Sequence, residues 1–393
     1  MKNKIKRPHL RAIREKNRMS ILKLLRSKKS ISKPQIAKLL SLSPMSVSRL
    51  VRDLVNEGIC ISSGPISNDR SIGRRPNVIR LNPNYGMVVA ICLSAFSKAV
   101  SITDVNGLTL LKTNIPESDC GTPQQAMNFI ETTISEFLEN SAGNSRKLLG
   151  CAVVIAGQYN VYSGILLTAP LLNWPKFELK ANIETFLGCP VIVDNIANAL
   201  CINFVDLIQQ KVTKNPNIML VHVAAGMGAS FFINGGLVDS GGDEGWIGRI
   251  KIQGLTKSIK KKSSLNEYVS GHAILNRLCK EANFSIESSL DFASNFKRAV
   301  KHANDKNSDY QKIFYEAGHI LGENLFYVSF GFKTDAVVLG GPIRHSIPFE
   351  KGLREGFKNA SQEVNETLTS IKVNQSSYLD AAEIIALREH FYS

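Results

Sequence analysis

Residues 43–58, SPMSVSRLVRDLVNEG, leave the chain little choice of local structure. Val47, Leu50, Val51, Leu54 and Val55 recur at helical spacing and make one apolar face. Met45, Arg49, Arg52 and Asn56 must then point the other way, flanked by Ser46, Ser48 and Asp53. Ser43 before Pro44 predicts an N-cap, because proline's missing N–H costs nothing in a first turn, and Gly58 predicts the stop. Just upstream, Ser32-Lys33-Pro34-Gln35 reads as a capping box opening a short helix through Ile36, Ala37, Leu39 and Leu40. Ser41-Leu42 leaves room only for a tight turn between the two, and residues 17–26 supply an earlier helix to pack on both. This pattern predicts a helix-turn-helix whose outer face, Pro44, Met45, Ser46, Ser48, Arg49 and Arg52, meets DNA bases and phosphates.

The charge distribution agrees. Residues 1–83 hold 20 Lys+Arg against 4 Asp+Glu, which exceeds the whole chain's net +15 and leaves the remainder close to neutral. So concentrated a charge is the footprint of a polyanion binder, with an anionic membrane surface as the competing partner. Residues 59–62 and 78–81 alternate as two strands of a hairpin, a wing whose polar tip carries Arg70, Arg74 and Arg75 beside Gly73 and Pro76. Such a tip fits a narrow minor groove. No run of about 18 apolar residues and no signal peptide is present, so the expected location is the cytoplasm, with no membrane partner. The seven cysteines form no Cys-x-x-Cys pair, which predicts reduced, mostly buried thiols and no metal site.

Beyond the linker Asn82-Pro83-Asn84 the sequence alternates apolar strands with amphipathic helices, as an α/β domain does. Residues 88–111 and 218–241 each read strand, turn, strand, Asn-Gly hairpin, strand, and Asn-Gly favours the type I′ turn. Two related halves predict a bilobal fold with a ligand cleft between them. The expected domains are 1–83, a winged helix-turn-helix with linker, and 84–393. The latter divides into a first lobe, 84–196 plus an amphipathic C-terminal helix at 378–392, and a second lobe, 197–377.

A winged helix-turn-helix followed by VVIAG (153–157), LLNW (171–174), VIVDNIANAL (191–200), VHVAAGMGAS (221–230), DEGWIGRI (243–250) and VVLGGPI (337–343) resembles, over nearly the whole chain, the ROK family. That family joins bacterial sugar-responsive repressors to sugar kinases. The resemblance implies an actin-like (ribonuclease H-like) ATPase fold behind the DNA-binding module, a homodimer or higher homo-oligomer, and operator DNA and a sugar derivative as partners. It also sets out what a kinase would need. The metal- and phosphate-binding turn corresponds to CLSAFSK (92–98), which has neither acid nor glycine. The general base follows an asparagine; here Asn195 is followed by Ile196, and Asp194, read as a strand residue, would face the other way. The zinc-binding cysteines are missing between Cys201 and Cys279, so no metal or other cofactor is expected.

By resemblance, Asn173, Asn195, Trp246, Arg249 and Asn266 would line the sugar cleft. Trp246 and Arg249 stand where kinases carry hydroxyl readers, which favours a sugar phosphate or sugar acid. Gly226 and Gly228, and Gly340 and Gly341, would be vestiges of the nucleotide-binding turns. The expectation is a non-enzymatic regulator of carbohydrate-related genes, with a repressor favoured. The alternatives are an active sugar kinase with a DNA-binding extension, or a DNA-binding dimer that takes no ligand.

Overall fold

The structure is a computed structural model and describes residues 10–64, 77–140, 146–209, 216–238, 247–252, 263–305, 308–363 and 369–392. Helix α1 (Leu10–Lys28) buries Ile21, Leu22 and Leu25. It begins well before the expected residue 17, because its first turns are held by charge: Arg14 and Arg18 reach Asp53 and Glu57 of α3 at 2.8 and 2.5 Å. A short strand β1 (Ile31–Ser32) precedes α2 (Lys33–Leu40), α3 (Pro44–Asn56), β2 (Cys60–Ser63) and β3 (Val78–Leu81). The capping box forms, with Gln35 Oε1 accepting from the Ser32 N–H at 3.0 Å. β2 and β3 pair as the expected hairpin, and β1 adds a third strand through Ile31 opposite Ile79.

The first lobe carries a five-stranded sheet ordered β10-β7-β4-β5-β6. Its elements are β4 (Gly86–Ser94), β5 (Ser97–Asp104), β6 (Thr109–Asn114), α4 (Pro123–Asn140) and β7 (Lys147–Ile155), then an arm of β8 (Gln158–Asn160) and β9 (Ile165–Thr168), and α5 (Leu179–Leu187), β10 (Val191–Asn195) and α6 (Ile196–Gln209). Central β4 is buried throughout and its alternation serves two cores. Met87, Val89, Ile91 and Leu93 meet α4 and α5, while Val88, Ala90 and Cys92 face the core shared by the C-terminal helix (378–390) and α6.

The second lobe repeats the plan in the order β13-β12-β11-β16-β17. It runs β11 (Ile218–Val223), β12 (Met227–Ile233), β13 (Gly236–Leu237), the ribbon β14 (Lys251–Ile252) and β15 (Ser263–Ser264), α7 (Asn266–Val269), α8 (Gly271–Glu281), α9 (Phe292–Asn304), α10 (Ser308–Phe332), β16 (Ala336–Gly340), α11 (Ile347–Glu363) and β17 (Ser370–Val373). Met219, Val221 and Val223 face the α8–α11 layer, and Ile218 and Leu220 face back toward the first lobe. Glycines let α10 and α11 touch backbone to backbone, since a Cβ on Gly318, Gly322, Gly352 or Gly356 would enter the carbonyls of Phe349, Leu353, Tyr315 or His319.

The last helix, α12 (Tyr378–His390), returns to the first lobe and lies on β4, β7 and α6. It is not amphipathic as expected: Tyr378, Leu379, Ala381, Ala382 and Ile384 to Leu387 are all buried. A helix held in the layer between two sheets has no wet face to keep polar. Only one of the two Asn-Gly turns is type I′. Asn234 and Gly235 both have positive φ. At Asn106-Gly107 only the glycine does, because Asp104 Oδ1 accepts from the N–H groups of Asn106 and Leu108 and shapes a longer loop.

Candidate nucleic-acid interface and ligand cleft

The start of α3 is fixed by its cap: Ser43 Oγ accepts from the Ser46 N–H at 3.1 Å, with Pro44 in the first turn. Val47, Leu50, Val51 and Leu54 are buried, which turns Pro44, Met45, Ser46, Ser48, Arg49 and Arg52 outward. Met45 is 83% exposed, so no described residue covers this part of the face. Asp53 of α3 and Glu57 at its C-cap are paired with Arg14 and Arg18, whereas Arg49 and Arg52 have no ion pair among the described residues. Neutralising the acids leaves an uncompensated positive face. Arg70, Arg74 and Arg75 lie outside the described residues.

This module is fastened to the body. Arg26 of α1 pairs with Asp206 of α6 at 3.3 Å and lies over the Tyr392 ring at 6.0 Å. Lys29 Nζ donates to the Asn106 carbonyl at 2.9 Å. At the linker, Asn82 Nδ2 donates to the Gly58 carbonyl and Arg146 Nε to that of Pro83. Lys23, beside the same contact, has its pKa lowered by burial and then by Arg388.

Between the lobes opens a cavity of about 720 Å³. Its floor is the junction of β10 and α6. Asp194 Oδ1 accepts from the Asn195 N–H at 2.7 Å and from Asn198 Nδ2 at 2.9 Å, and Asn195 Oδ1 accepts from the Asn198 N–H at 2.8 Å. Asp194 lines the cleft, contrary to the expectation that it would face the other way: it is a strand residue paired with Val154 one position from the end of β10, and its carboxylate turns to hold Asn195 and Asn198 while the Asn195 amide caps α6. Ile196, the residue after Asn195, is buried, and Asp194 is the one carboxylate among the described lining residues. The opposite wall is the β11–β12 turn, closed by the Ala224 N–H donating to the Gly226 carbonyl at 2.8 Å. A Cβ on Gly228 would meet nothing within 4 Å, so this backbone faces open cleft.

Of the expected ligand residues, Asn195 lines the cleft. Asn266 stands at its edge, its Oδ1 3.7 Å from where a Cβ on Gly226 would be. Asn173 is exposed and serves its own turn at φ 56°, and Arg249 is exposed; neither is among the lining residues. Trp246 lies outside the described residues. Gly340 and Gly341 act in packing: a Cβ on Gly341, at φ 88°, would enter the Val223 carbonyl, and one on Gly340 would stand 3.2 Å from Leu200. The described cleft lining contains no Lys or Arg. Its polar side chains include the amides of Gln158, Asn160, Asn195 and Asn198 on a largely apolar wall.

Sequence reasoning missed His222. Its Nε2 is 2.7 Å from Tyr378 Oη, and burial, then Arg344, lower its pKa to about 4, so it is neutral at pH 7. Its signal was a lone polar residue in the otherwise apolar β11. Six cysteines are buried and Cys279 is half-buried; burial pushes Cys60, Cys92 and Cys201 up to about 12, which makes them poor nucleophiles. Among the described residues no group of three or more His, Cys, Asp and Glu is placed to hold a metal ion. No helix there is long and apolar enough to cross a membrane.

A profile described as the ROK family matches residues 88–385, and one described as winged helix-turn-helix DNA-binding matches 14–59. A putative xylose repressor of Caldicellulosiruptor is 28% identical over 187 residues, 48% of this chain and 46% of its own. The xylose repressor of Bacillus subtilis is 24% identical over 340 residues, 86% of this chain and 84% of its own. Among solved structures, a ROK family transcriptional regulator, homologous to the E. coli MLC protein, has the same fold with TM-score 0.72 at 20% identity, over 97% of each chain.

Proposed function

The chain belongs to the ROK family, and we infer on that premise that it is a DNA-binding repressor of carbohydrate genes whose operator affinity is set by a neutral sugar. The observation that carries this reading is the course of α6. Asn195 and Asn198 at its start line the cleft, and Asp206 near its end holds Arg26 of the DNA-binding module. Ten residues separate Ile196 from Asp206, about 15 Å of helix. A sugar whose hydroxyls bond the amides at the helix start would shift or tilt α6, and α1 would move with it.

The amide-lined cleft supports an uncharged polyol, because Asn and Gln both donate and accept as hydroxyls require. Xylose, named for two relatives, is the first candidate. With Ile196 at the base position and the Asp194 carboxylate engaged by Asn195 and Asn198, the chain binds the sugar without phosphorylating it. Two copies would set their α3 helices about 34 Å apart on successive major grooves, so a small change in the angle of α1 spoils the spacing.

The test is fluorescence anisotropy with DNA from upstream of the chain's own gene, with and without xylose and other neutral sugars. Specific binding should weaken at least about tenfold with the right sugar. Arg49→Ala should cost about 1–3 kcal/mol or relax one base position. Binding no tighter than to scrambled DNA, or ATP-dependent phosphorylation of the sugar, would overturn the reading.

A further inference from the structure

The recognition helix carries an acid within reach of its own DNA-reading arginine. Asp53 follows Arg49 by four residues on α3, the spacing at which opposite charges meet on a helix surface. Left to itself, that carboxylate would hold the Arg49 guanidinium against the protein. The structure shows another arrangement. Arg14 Nη2 of α1 donates to Asp53 Oδ2 at 2.8 Å, and Arg49 has no ion pair among the described residues although it lines the same groove between α1 and α3.

One turn further along, Arg18 repeats the contact with Glu57, Nη1 to Oε1 at 3.1 Å and Nη2 to Oε2 at 2.5 Å. Both pairs span 39 positions of sequence, so α1 and α3 run side by side in the same direction. The two rungs differ. The Arg18 fork grips Glu57 with two nitrogens and fixes α1 against the end of α3, whereas Arg14 holds Asp53 through a single bond from a side chain 52% exposed. An ion pair so open to solvent adds little to stability. Its place matters more, because Ser46, Arg49 and Asp53 recur at helical spacing along one side of α3 and line the groove together.

We propose that Arg14 is a positioning residue for operator recognition. By occupying the Asp53 carboxylate it leaves Arg49 free to reach a base edge, and it masks a negative charge that would otherwise stand beside the DNA phosphates. This role rests on the DNA-binding reading above and adds a residue of α1, outside the helix-turn-helix, to the determinants of specificity. Arg14 itself need touch no DNA. Without it, Asp53 competes for Arg49 in every complex. The contact of Arg49 with a base exists only on the operator, so the loss falls on discrimination more than on general affinity.

The experiment is fluorescence anisotropy of the full chain with DNA from upstream of its own gene and with a scrambled duplex, each at several salt concentrations. The ratio of the two affinities should fall about three- to fivefold in Arg14→Gln, the strength of one exposed ion pair. It should return to within about twofold of the parent in the double variant Arg14→Gln/Asp53→Asn. Adding Arg49→Ala should reduce the ratio less in Arg14→Gln than in the double variant, which a merely structural role of Arg14 would not produce. Arg14 and Arg49 are exposed and Asp53 is half-buried, so all variants should melt close to the parent. A loss that Asp53→Asn does not restore would overturn the proposal, and a salt slope shallower by about one on both duplexes would then mark Arg14 as a phosphate contact. Arg49→Ala with the same effect in every background would overturn it too. A parent chain with no preference for its upstream DNA would instead refute the DNA-binding reading itself, and this role with it.

Discussion

The contact between Arg26 and Asp206 carries a prediction that can be worked through. The guanidinium and carboxylate are 3.3 Å apart and their side chains are 16% and 20% exposed, so solvent screens them less than a surface pair. At an effective dielectric of about 20 the gross attraction is about 5 kcal/mol. Desolvation of both groups offsets most of it and leaves a coupling of about 1–2 kcal/mol. Arg26→Gln, Asp206→Asn and the double variant form a cycle to be read twice. In urea unfolding, the double variant should be less destabilised than the sum of the singles by that coupling. In operator binding, each single should keep sugar-free affinity within about threefold while the sugar's effect on affinity shrinks about five- to thirtyfold. Singles that add within about 0.5 kcal/mol, together with an undiminished sugar effect, would show that α6 does not carry the signal to α1.

Other predictions follow from single contacts. Ser43→Ala removes the cap of α3 and should cost about 1 kcal/mol in urea unfolding, with weaker DNA binding. His222 titrates near 4 in the folded chain against about 6.5 unfolded, so between those values the unfolded chain binds the extra proton and stability falls as pH drops. The loss is at most about 3 kcal/mol by pH 4, less because His222 touches the cleft, and His222→Gln should flatten the pH profile in that window. An unchanged slope would mean that His222 is already solvated. Gly352→Ala should cost about 2–3 kcal/mol by driving a methyl group into the Tyr315 carbonyl, whereas Gly331→Ala, with open space around it, should be neutral or slightly stabilising in the same melt.

The DNA-binding module was legible because its signals are local. A cap, a helical stripe and a turn lie within a few residues of each other, and residues 32, 43, 47, 50, 51 and 54 do in the structure what their spacing required. The two-lobe plan was legible from period-2 strands, most plainly in β4, where alternate residues serve different cores. The cleft was less so. Asp194 was misjudged although it is a strand residue, because at the end of β10 its carboxylate is drawn to the Asn195 N–H and the Asn198 amide, hydrogen bonds that periodicity does not encode. Asn173 and Arg249 were placed by analogy of position, and a left-handed turn and an exposed 3₁₀ turn direct them elsewhere. Arg344 and Tyr378 were missed because their partners are distant in sequence: Tyr378 meets His222 across 156 positions.

The chemistry that a kinase needs and the mechanics that a repressor needs compete for the same residues on α6. A carboxylate at position 196 would face the sugar and have to stay free to take a proton; with Ile196 there, the helix start is packed and capped instead. The Asn195 cap and the bond from the Asn198 amide to the Asp194 carboxylate then make the first turn stiff, and Asn198 extends the tie to Ser230 in the second lobe at 2.7 Å. At the other end Asp206 sits near the negative pole of the helix, where an acid is unfavourable by a few tenths of a kcal/mol to about 1. Arg26 offsets that penalty only while α1 is docked. An acid in the wrong place for the helix is thus in the right place for a latch, and its strength depends on the position of a helix whose other end forms the floor of the proposed sugar cleft.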